Sequence, residues 1–154
     1  MTDAPHLLIV EGRFYDDIID ALVAGAVAAL DKAGATYERL TVPGAFEIPN
    51  AIGMAVRSLD FFAGRKRFDG YIALGCVIRG ETTHYDYICA ESSRKLQDIA
   101  CEYSLALGYG ILTCETAEQA WERAKPDRKD KGGDAARACL AMIEVKRHFR
   151  LYPR

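Results

Sequence analysis

A histidine and two threonines lie close together in residues 75–86, which read GCVIRGETTHYD. The apolar run at residues 71–75 predicts a buried strand, and the amphipathic pattern that begins near Thr83 predicts a helix. The segment therefore joins a strand end to a helix start, which is where ligands bind in open parallel sheets. Free N–H groups at a helix start attract anions, and an imidazole transfers protons near neutral pH.

His84 is the candidate general acid or base, because a helix N-terminus disfavours the imidazolium and so favours a neutral ring that can accept a proton. The structural alternative is a hydrogen bond from His84 to Glu81 or Asp86. Thr83 is the expected N-cap residue, with Asp86 at capping-box spacing. That assignment leaves the hydroxyl of Thr82 to bind an anion, unless it bonds only to nearby backbone.

Two further segments follow predicted strand ends and should reach the same edge of the sheet. Phe14 lies in a Gly-Arg-Phe-Tyr turn, where its ring either stacks on a flat ligand or packs against a neighbouring element. Glu47 follows a Pro-Gly turn, where its carboxylate either accepts hydrogen bonds from a polyol or an amine, or complements a helix N-terminus. Phe14, the backbone of residues 45–47 and the turn at residues 75–84 are therefore expected to converge.

Basic side chains after the last predicted strand are candidates for holding a phosphate. Arg123 suits this role because a guanidinium can bind phosphate through two parallel hydrogen bonds, and Lys131 lies further along the chain. The intervening loop also contains Asp127 and Asp130, so a solvated and partly self-neutralised loop is the alternative. The glycine motifs of dinucleotide and P-loop sites are absent, which argues against a nucleotide cofactor.

The composition limits the class of protein. Of the 154 residues, 50% are hydrophobic and 27% are charged, which fits one globular domain over residues 1–154. A net charge of −2 argues against nucleic-acid binding, and no apolar run approaches the roughly 20 residues of a membrane span. The five cysteines lack disulfide or zinc spacing, so free thiols and no metal are expected. No secretory signal is recognised, which makes the cytoplasm the expected location.

Apolar runs alternate with helical patterns along the chain, and Gly34 and Gly108 are expected to close the first and third helices. Strands are predicted at residues 7–10, 38–42, 71–74 and 109–113. Helices are predicted at residues 15–34, 48–59 and 83–103, between Thr116 and Pro126, and at residues 135–145 after Gly132-Gly133. Residues 64–67 are predicted to be a loop insertion. The order βαβαβαβαα predicts an α/β fold, a parallel sheet with helices on both faces.

Five motifs of the chain together carry a family resemblance. The motifs GRF (residues 12–14), VPGAFEIP (42–49), LGCVIRGETTHYD (74–86), ERA (122–124) and KG (131–132) together resemble the lumazine synthases of riboflavin biosynthesis. They occur in the same order over about residues 7–148, and the pair PGAFEIP and VIRGxTxH is highly specific. The resemblance implies a flavodoxin-like three-layer αβα sandwich with a four-stranded parallel sheet.

The resemblance implies a condensation of 5-amino-6-(D-ribitylamino)uracil with 3,4-dihydroxy-2-butanone 4-phosphate, without metal or organic cofactor. It assigns proton transfer to His84. The contacts that it assigns to the pyrimidine and its ribityl chain are made by Phe14, Ala45, Phe46, Glu47, Cys76, Val77, Ile78 and, from an adjacent subunit, Tyr109. The contacts that it assigns to the phosphate are made by the N–H of Glu81 and by Thr82, Arg123 and Lys131.

The resemblance also implies a homopentamer with active sites between adjacent subunits and a functional link to riboflavin synthase. The altered loop at residues 125–130 favours a pentamer over the larger shells of some relatives. The carboxylate of Glu81 is the poorest fit, because it lies beside the expected phosphate site. Three other functions use the same features: a flavin- or lumazine-binding protein without turnover, a shell protein with vestigial catalysis, and a flavodoxin-type electron carrier.

Overall fold

The computed structural model describes residues 4–61 and 68–151, so the insertion predicted at residues 64–67 lies outside the described residues. A four-stranded, all-parallel sheet runs through the centre with strand order β2-β1-β3-β4. The strands are β1 (His6–Gly12), β2 (Thr36–Val42), β3 (Gly70–Ile78) and β4 (Leu107–Cys114). The helices are α1 (Asp16–Lys32), α2 (Ile48–Arg57), α3 (His84–Tyr103), α4 (Ala117–Ala124) and α5 (Lys131–His148). The predicted α/β fold with four parallel strands is confirmed.

Successive side chains of β1 face the two helical layers, because strand residues alternate between the faces of a sheet. Leu7 and Ile9 belong to the core formed with α1, α4 and α5, whereas Leu8 and Val10 belong to the core on the side of α2 and α3. Burial on both faces explains why this strand is a continuous apolar run. By contrast, β2 lies at the edge of the sheet and is mostly exposed. No helix in the described part of the chain is long and apolar enough to cross a bilayer.

The end of α3 differs from its prediction. Gly34 does follow α1 with a positive φ of 73°, but α3 ends at Tyr103, where Ser104 takes the left-handed conformation with φ 54°. Gly108 lies inside β4 instead, where a Cβ would overlap the carbonyl oxygen of Ala135. This glycine therefore serves the packing of α5 against the sheet and does not end a helix.

The start of α5 is also earlier than predicted, at Lys131 instead of residue 135. Asp130 caps the helix, since its Oδ1 accepts a hydrogen bond from the N–H of Gly133 at 3.2 Å. A Cβ on Gly132 would overlap the carbonyl oxygen of Leu22 in α1. Gly132 and Gly133 thus lie in the first turn of α5, where Gly132 allows α1 and α5 to pack closely.

Candidate active site

A cleft of about 700 Å³ opens at the carboxyl ends of β1, β2 and β3 and reaches the first turn of α3. A volume of this order is typical of small-molecule sites. The lining comes from separate chain segments that the topology brings to one edge: Phe14, Tyr15, Pro43, Gly44, Ala45, Phe46, Glu47, Cys76, Val77, Ile78, Gly80, Thr82, His84, Tyr85, Tyr87 and Ile88.

The wall that carries Phe14 depends on a close approach of two backbone segments. A Cβ on Gly12 would lie 2.7 Å from the carbonyl carbon of Gly44, so the end of β1 can approach the Pro-Gly turn only without a side chain. Phe14 follows this contact and is 73% exposed, although it lines the cleft. Its ring is therefore available to stack on a flat ligand.

A buried ion cluster holds the same wall. Glu11 is completely buried and accepts hydrogen bonds from Nε of Arg39 at 2.6 Å and from Nε of Arg13 at 2.9 Å. A buried carboxylate is tolerated only when it is paired in this way. The cluster joins β1 to β2 and fixes the residue that precedes Phe14. Composition and spacing gave no sign of it.

The second wall is a 3-10 turn, Ala45–Glu47, that leads directly into α2. Ala45 is buried against β3, since a Cβ on Gly75 would lie 3.3 Å from the Cβ of Ala45. Phe46 and Glu47 line the cleft, and among the described residues the carboxylate of Glu47 has no ion-pair partner within 4 Å. That carboxylate is therefore free to accept hydrogen bonds from a ligand.

The floor of the cleft is the end of β3, formed by Cys76, Val77 and Ile78. Burial, together with the nearby thiols of Cys114 and Cys89, raises the pKa of Cys76 to about 12. The thiol is then protonated at neutral pH and is not a nucleophile. The floor is consequently apolar and uncharged.

The turn into α3 carries the candidate proton-transfer residue. Thr83 has the N-cap position, but its side chain makes no capping hydrogen bond, so the predicted capping box is wrong. The hydroxyl oxygen of Thr82 instead accepts from the N–H of His84 at 3.3 Å, and the carboxylate of Asp86 accepts from Arg79 at 3.1 Å. His84 lines the cleft, and within the described residues its ring makes no hydrogen bond, so the expected alternative of a bond to Glu81 or Asp86 is not formed.

Arg123 and Lys131 do not line this cleft. Arg123 is half-buried on α4 and donates from Nη1 to the carbonyl oxygen of Gln119 at 3.1 Å. Lys131 begins α5 and pairs with Asp134 at 3.4 Å. Both helices pack on the opposite layer from α2 and α3, so neither side chain reaches the cleft of its own chain.

Two other predicted residues lie outside the lining. Glu81 is exposed and is not among the residues that face the cleft, so its carboxylate does not charge the pocket. Tyr109 lies in β4, at the far edge of the sheet, and is 42% exposed. Burial of its hydroxyl raises the pKa of Tyr109.

Sequence reasoning overlooked several aromatic side chains. Tyr15, Tyr85 and Tyr87 line the cleft, and Tyr87 is 67% exposed. The signal for Tyr87 was its spacing, since residues i and i+3 share one face of a helix and this places Tyr87 on the same side of α3 as His84.

Comparisons with known proteins agree with one another. The model of the 6,7-dimethyl-8-ribityllumazine synthase family matches residues 4–147. A protein of that name from Agrobacterium fabrum is 59% identical over 143 residues, which is 93% of this chain and 95% of the relative. The 6,7-dimethyl-8-ribityllumazine synthase 1 of Rhizobium meliloti is 59% identical over 144 residues, 94% of this chain and 93% of its own. A Bartonella tribocorum protein with the family's name is 54% identical over 149 residues, 97% of this chain and 95% of its own.

Proposed function

The chain belongs to the 6,7-dimethyl-8-ribityllumazine synthase family, and we propose that the cleft at the carboxyl edge of its sheet is the active site. The enzyme condenses 5-amino-6-(D-ribitylamino)uracil with 3,4-dihydroxy-2-butanone 4-phosphate. The products are 6,7-dimethyl-8-ribityllumazine, inorganic phosphate and water, in the penultimate step of riboflavin biosynthesis. The observation that carries this assignment is that Phe14, Glu47 and His84 line one cleft although they come from distant parts of the sequence.

The flat pyrimidine stacks on the exposed ring of Phe14. Its edge bonds to the backbone of residues 76–78, and the ribityl chain lies along Ala45 and Phe46 with its hydroxyls donating to Glu47. An apolar floor with a single carboxylate at the wall suits this uncharged, polyhydroxylated substrate, because few well-placed polar groups orient a ligand in an otherwise apolar site.

The phosphate of the second substrate binds near Thr82 and the N–H of Glu81, at the start of α3, where the helix dipole favours an anion. Among the described residues, none that lines the cleft is a lysine or an arginine, yet a departing phosphate needs cationic stabilisation. Arg123 and Lys131 belong to the opposite helical layer of their own chain. We therefore assign them, together with Tyr109, to the cleft of an adjacent subunit in a homopentamer.

The reaction is a condensation in which each step is accompanied by a proton transfer. The 5-amino group of the pyrimidine adds to the ketone and loses water to give an imine. Loss of phosphate leaves an enol that becomes a ketone, and the ribityl-bearing nitrogen then adds to that carbonyl carbon and closes the ring, with the carbonyl oxygen lost as a second water. His84 accepts and returns protons beside the amine, a contribution of about 10²–10⁴-fold for a well-placed general base. Holding both substrates at reacting distance supplies much of the remainder.

Incubation of the purified protein with both substrates tests this function directly. We expect the fluorescent lumazine and inorganic phosphate to appear in equal amounts, faster than in a protein-free mixture and absent when either substrate is omitted. If lumazine forms no faster with the protein than without it, the proposed enzymatic activity is rejected. Tight binding of lumazine or flavin without turnover would instead identify a binding protein that has no enzymatic activity.

The product is the substrate of the next enzyme of the pathway, riboflavin synthase, which we propose as its functional partner. All five cysteines are free thiols, which fits a reducing compartment. We accordingly propose that the reaction takes place in the cytoplasm.

A further inference from the structure

Arg79 connects separate parts of the fold directly behind the cleft. It follows the last residue of β3, and its neighbours Ile78 and Gly80 line the cleft, but its own side chain does not. Its Nε donates to Glu115 at 2.8 Å and its Nη2 donates to Asp86 at 3.1 Å. The guanidinium therefore bridges two carboxylates that belong to different parts of the fold.

Both ends of this bridge are anchored. The backbone N–H of Arg79 donates to the carbonyl oxygen of Cys114 at 2.9 Å, which ties the ends of β3 and β4 together. Glu115 is held in turn, because its N–H donates to Oε1 of Gln119 in α4 at 2.8 Å. The carboxylate of Asp86 is thus connected through Arg79 to two strand ends and a second helix.

The guanidinium also covers a ring in the first turn of α3. The Cζ of Arg79 lies 4.3 Å from the ring centroid of Tyr85, within the range of a cation–π contact. Tyr85 and Asp86 immediately follow His84, the first residue of this helix. Contacts at two consecutive residues fix the direction of the turn more firmly than either alone.

The start of α3 needs such support, since the side chain of its N-cap residue Thr83 makes no capping hydrogen bond. The hydroxyl of Thr82 accepts from His84 N–H at 3.3 Å, which is beyond the usual range for a strong bond. The contacts of Arg79 are shorter and charged, and charge-assisted hydrogen bonds are about twice as strong as neutral ones.

We propose that Arg79 is a positioning residue for His84: it holds the first turn of α3 so that the imidazole faces the bound amine, and it keeps Asp86 from bonding to that ring. The proposal rests on the proposed function of the cleft. It assigns Arg79 no contact with substrate, so its loss should slow the proton-transfer steps without weakening the binding of either substrate.

The test compares Arg79→Gln with Arg94→Gln. Arg94, in α3, is a matched control, because it also bridges two carboxylates, Glu91 at 2.7 Å and Asp98 at 2.9 Å, but lies outside the cleft. We expect Arg79→Gln to lower kcat about 10–100-fold, the range that a small misplacement of a catalytic group costs. Both KM values should stay within twofold, and Arg94→Gln should match the wild type.

A second measurement does not require activity. Hydrogen–deuterium exchange should be faster for the amides of residues 84–88 in Arg79→Gln, and unchanged there in Arg94→Gln. Three results would overturn the proposal. They are a wild-type kcat in Arg79→Gln, an equal loss of kcat in both variants, and a rise in the KM of Arg79→Gln without a fall in its kcat. If the wild type itself makes no lumazine, the proposed function fails, and unchanged exchange in Arg79→Gln would then reject the positioning role on its own.

Discussion

The hydroxyl oxygen of Thr82 accepts a hydrogen bond from the backbone N–H of His84 at 3.3 Å. This bond couples the residue proposed to hold the phosphate with the residue proposed to transfer protons. It also replaces the capping bond expected from Thr83. The two functions of the turn therefore share one short backbone segment, and changes in either residue are expected to affect the same reaction.

Replacement of His84 by alanine should slow the reaction without abolishing it. We expect kcat to fall by about 10²–10⁴-fold, because acid–base catalysis is removed while the substrates are still held together. Steady-state rates of lumazine formation measure the effect. His148→Ala is the control, since His148 lies at the end of α5, far along the chain from the cleft. Unchanged turnover in His84→Ala would remove its assigned role.

Shared active sites can be tested by mixing two defective subunits. Arg123→Gln should impair use of the butanone phosphate, and His84→Ala should impair proton transfer. If Arg123 serves the adjacent subunit, co-expressed variants regenerate some sites that have both native residues, and random mixing at equal amounts predicts about a quarter of the wild-type activity.

As a control, each variant is expressed and purified separately. The two purified proteins are then mixed under conditions that prevent subunit exchange. Activity of the co-expressed protein that does not exceed the mean of the two variants would contradict a site between subunits. Unaltered kinetics with the phosphate substrate in Arg123→Gln would reject its place in the site altogether.

Gly132→Ala should destabilise the fold. The new Cβ would overlap the carbonyl oxygen of Leu22, and because backbone is involved, α1 and α5 must move apart. Overpacking of this kind costs about 1–3 kcal/mol in the free energy of unfolding, measured by urea denaturation at a fixed subunit concentration. Gly53→Ala is the matched control, since Gly53 lies in α2 with nothing within 4 Å of the added Cβ. It should stabilise by about 0.5–1 kcal/mol, and equal effects of the two changes would refute this account.

Buried thiols should make the protein less stable in alkali. Burial raises the pKa of Cys76 and of Cys139 from 9.0 to about 12. Between these values an unfolded thiol has lost its proton while the folded one keeps it. The unfolded state then binds fewer protons, so the free energy of unfolding is undiminished below pH 9 and falls as the pH rises toward 12.

The expected slope is at most about 1.4 kcal/mol per pH unit for each thiol. Cys139→Ala should remove one such contribution, so urea denaturation between pH 8 and 10.5 should show a shallower decline than in the wild type. The slopes are compared, and not the absolute stabilities, because the variant also leaves a small cavity. A variant with the same decline as the wild type would show that Cys139 does not contribute.

The sequence predicted those features that depend on local pattern. The apolar run at residues 7–10, the amphipathic spacing of α1 and the stop at Gly34 are all determined by neighbouring residues. The roles of Gly108 and Gly132 were predicted wrongly from the sequence. In both cases glycine is needed because a helix from elsewhere in the chain packs against it. The bridge from Arg79 to Asp86 and Glu115 was overlooked for the same reason, since its partners are 7 and 36 residues away.

In the candidate site, too, the sequence predicted what depends on local pattern and strand order, but not what depends on contacts between distant parts of the chain. Phe14, Glu47 and His84 follow strand ends, and the parallel topology alone brings such residues to one edge. The position of Arg123 relative to that edge depends on which helical layer covers which face, and this cannot be read from motifs. The pairing of Asp86 with Arg79 instead of the N-terminus of α3 likewise depended on three-dimensional contacts.

Within residues 4–61 and 68–151, no lysine or arginine side chain lines the cleft of the single subunit. A solitary subunit would bind the pyrimidine, but it would hold the phosphate of the second substrate only through Thr82 and the start of α3, without the guanidinium of Arg123. Newly synthesised chains would therefore convert the butanone phosphate slowly until they assemble with other subunits. Assembly of the subunits would then activate the enzyme, and dissociation on dilution would inactivate it.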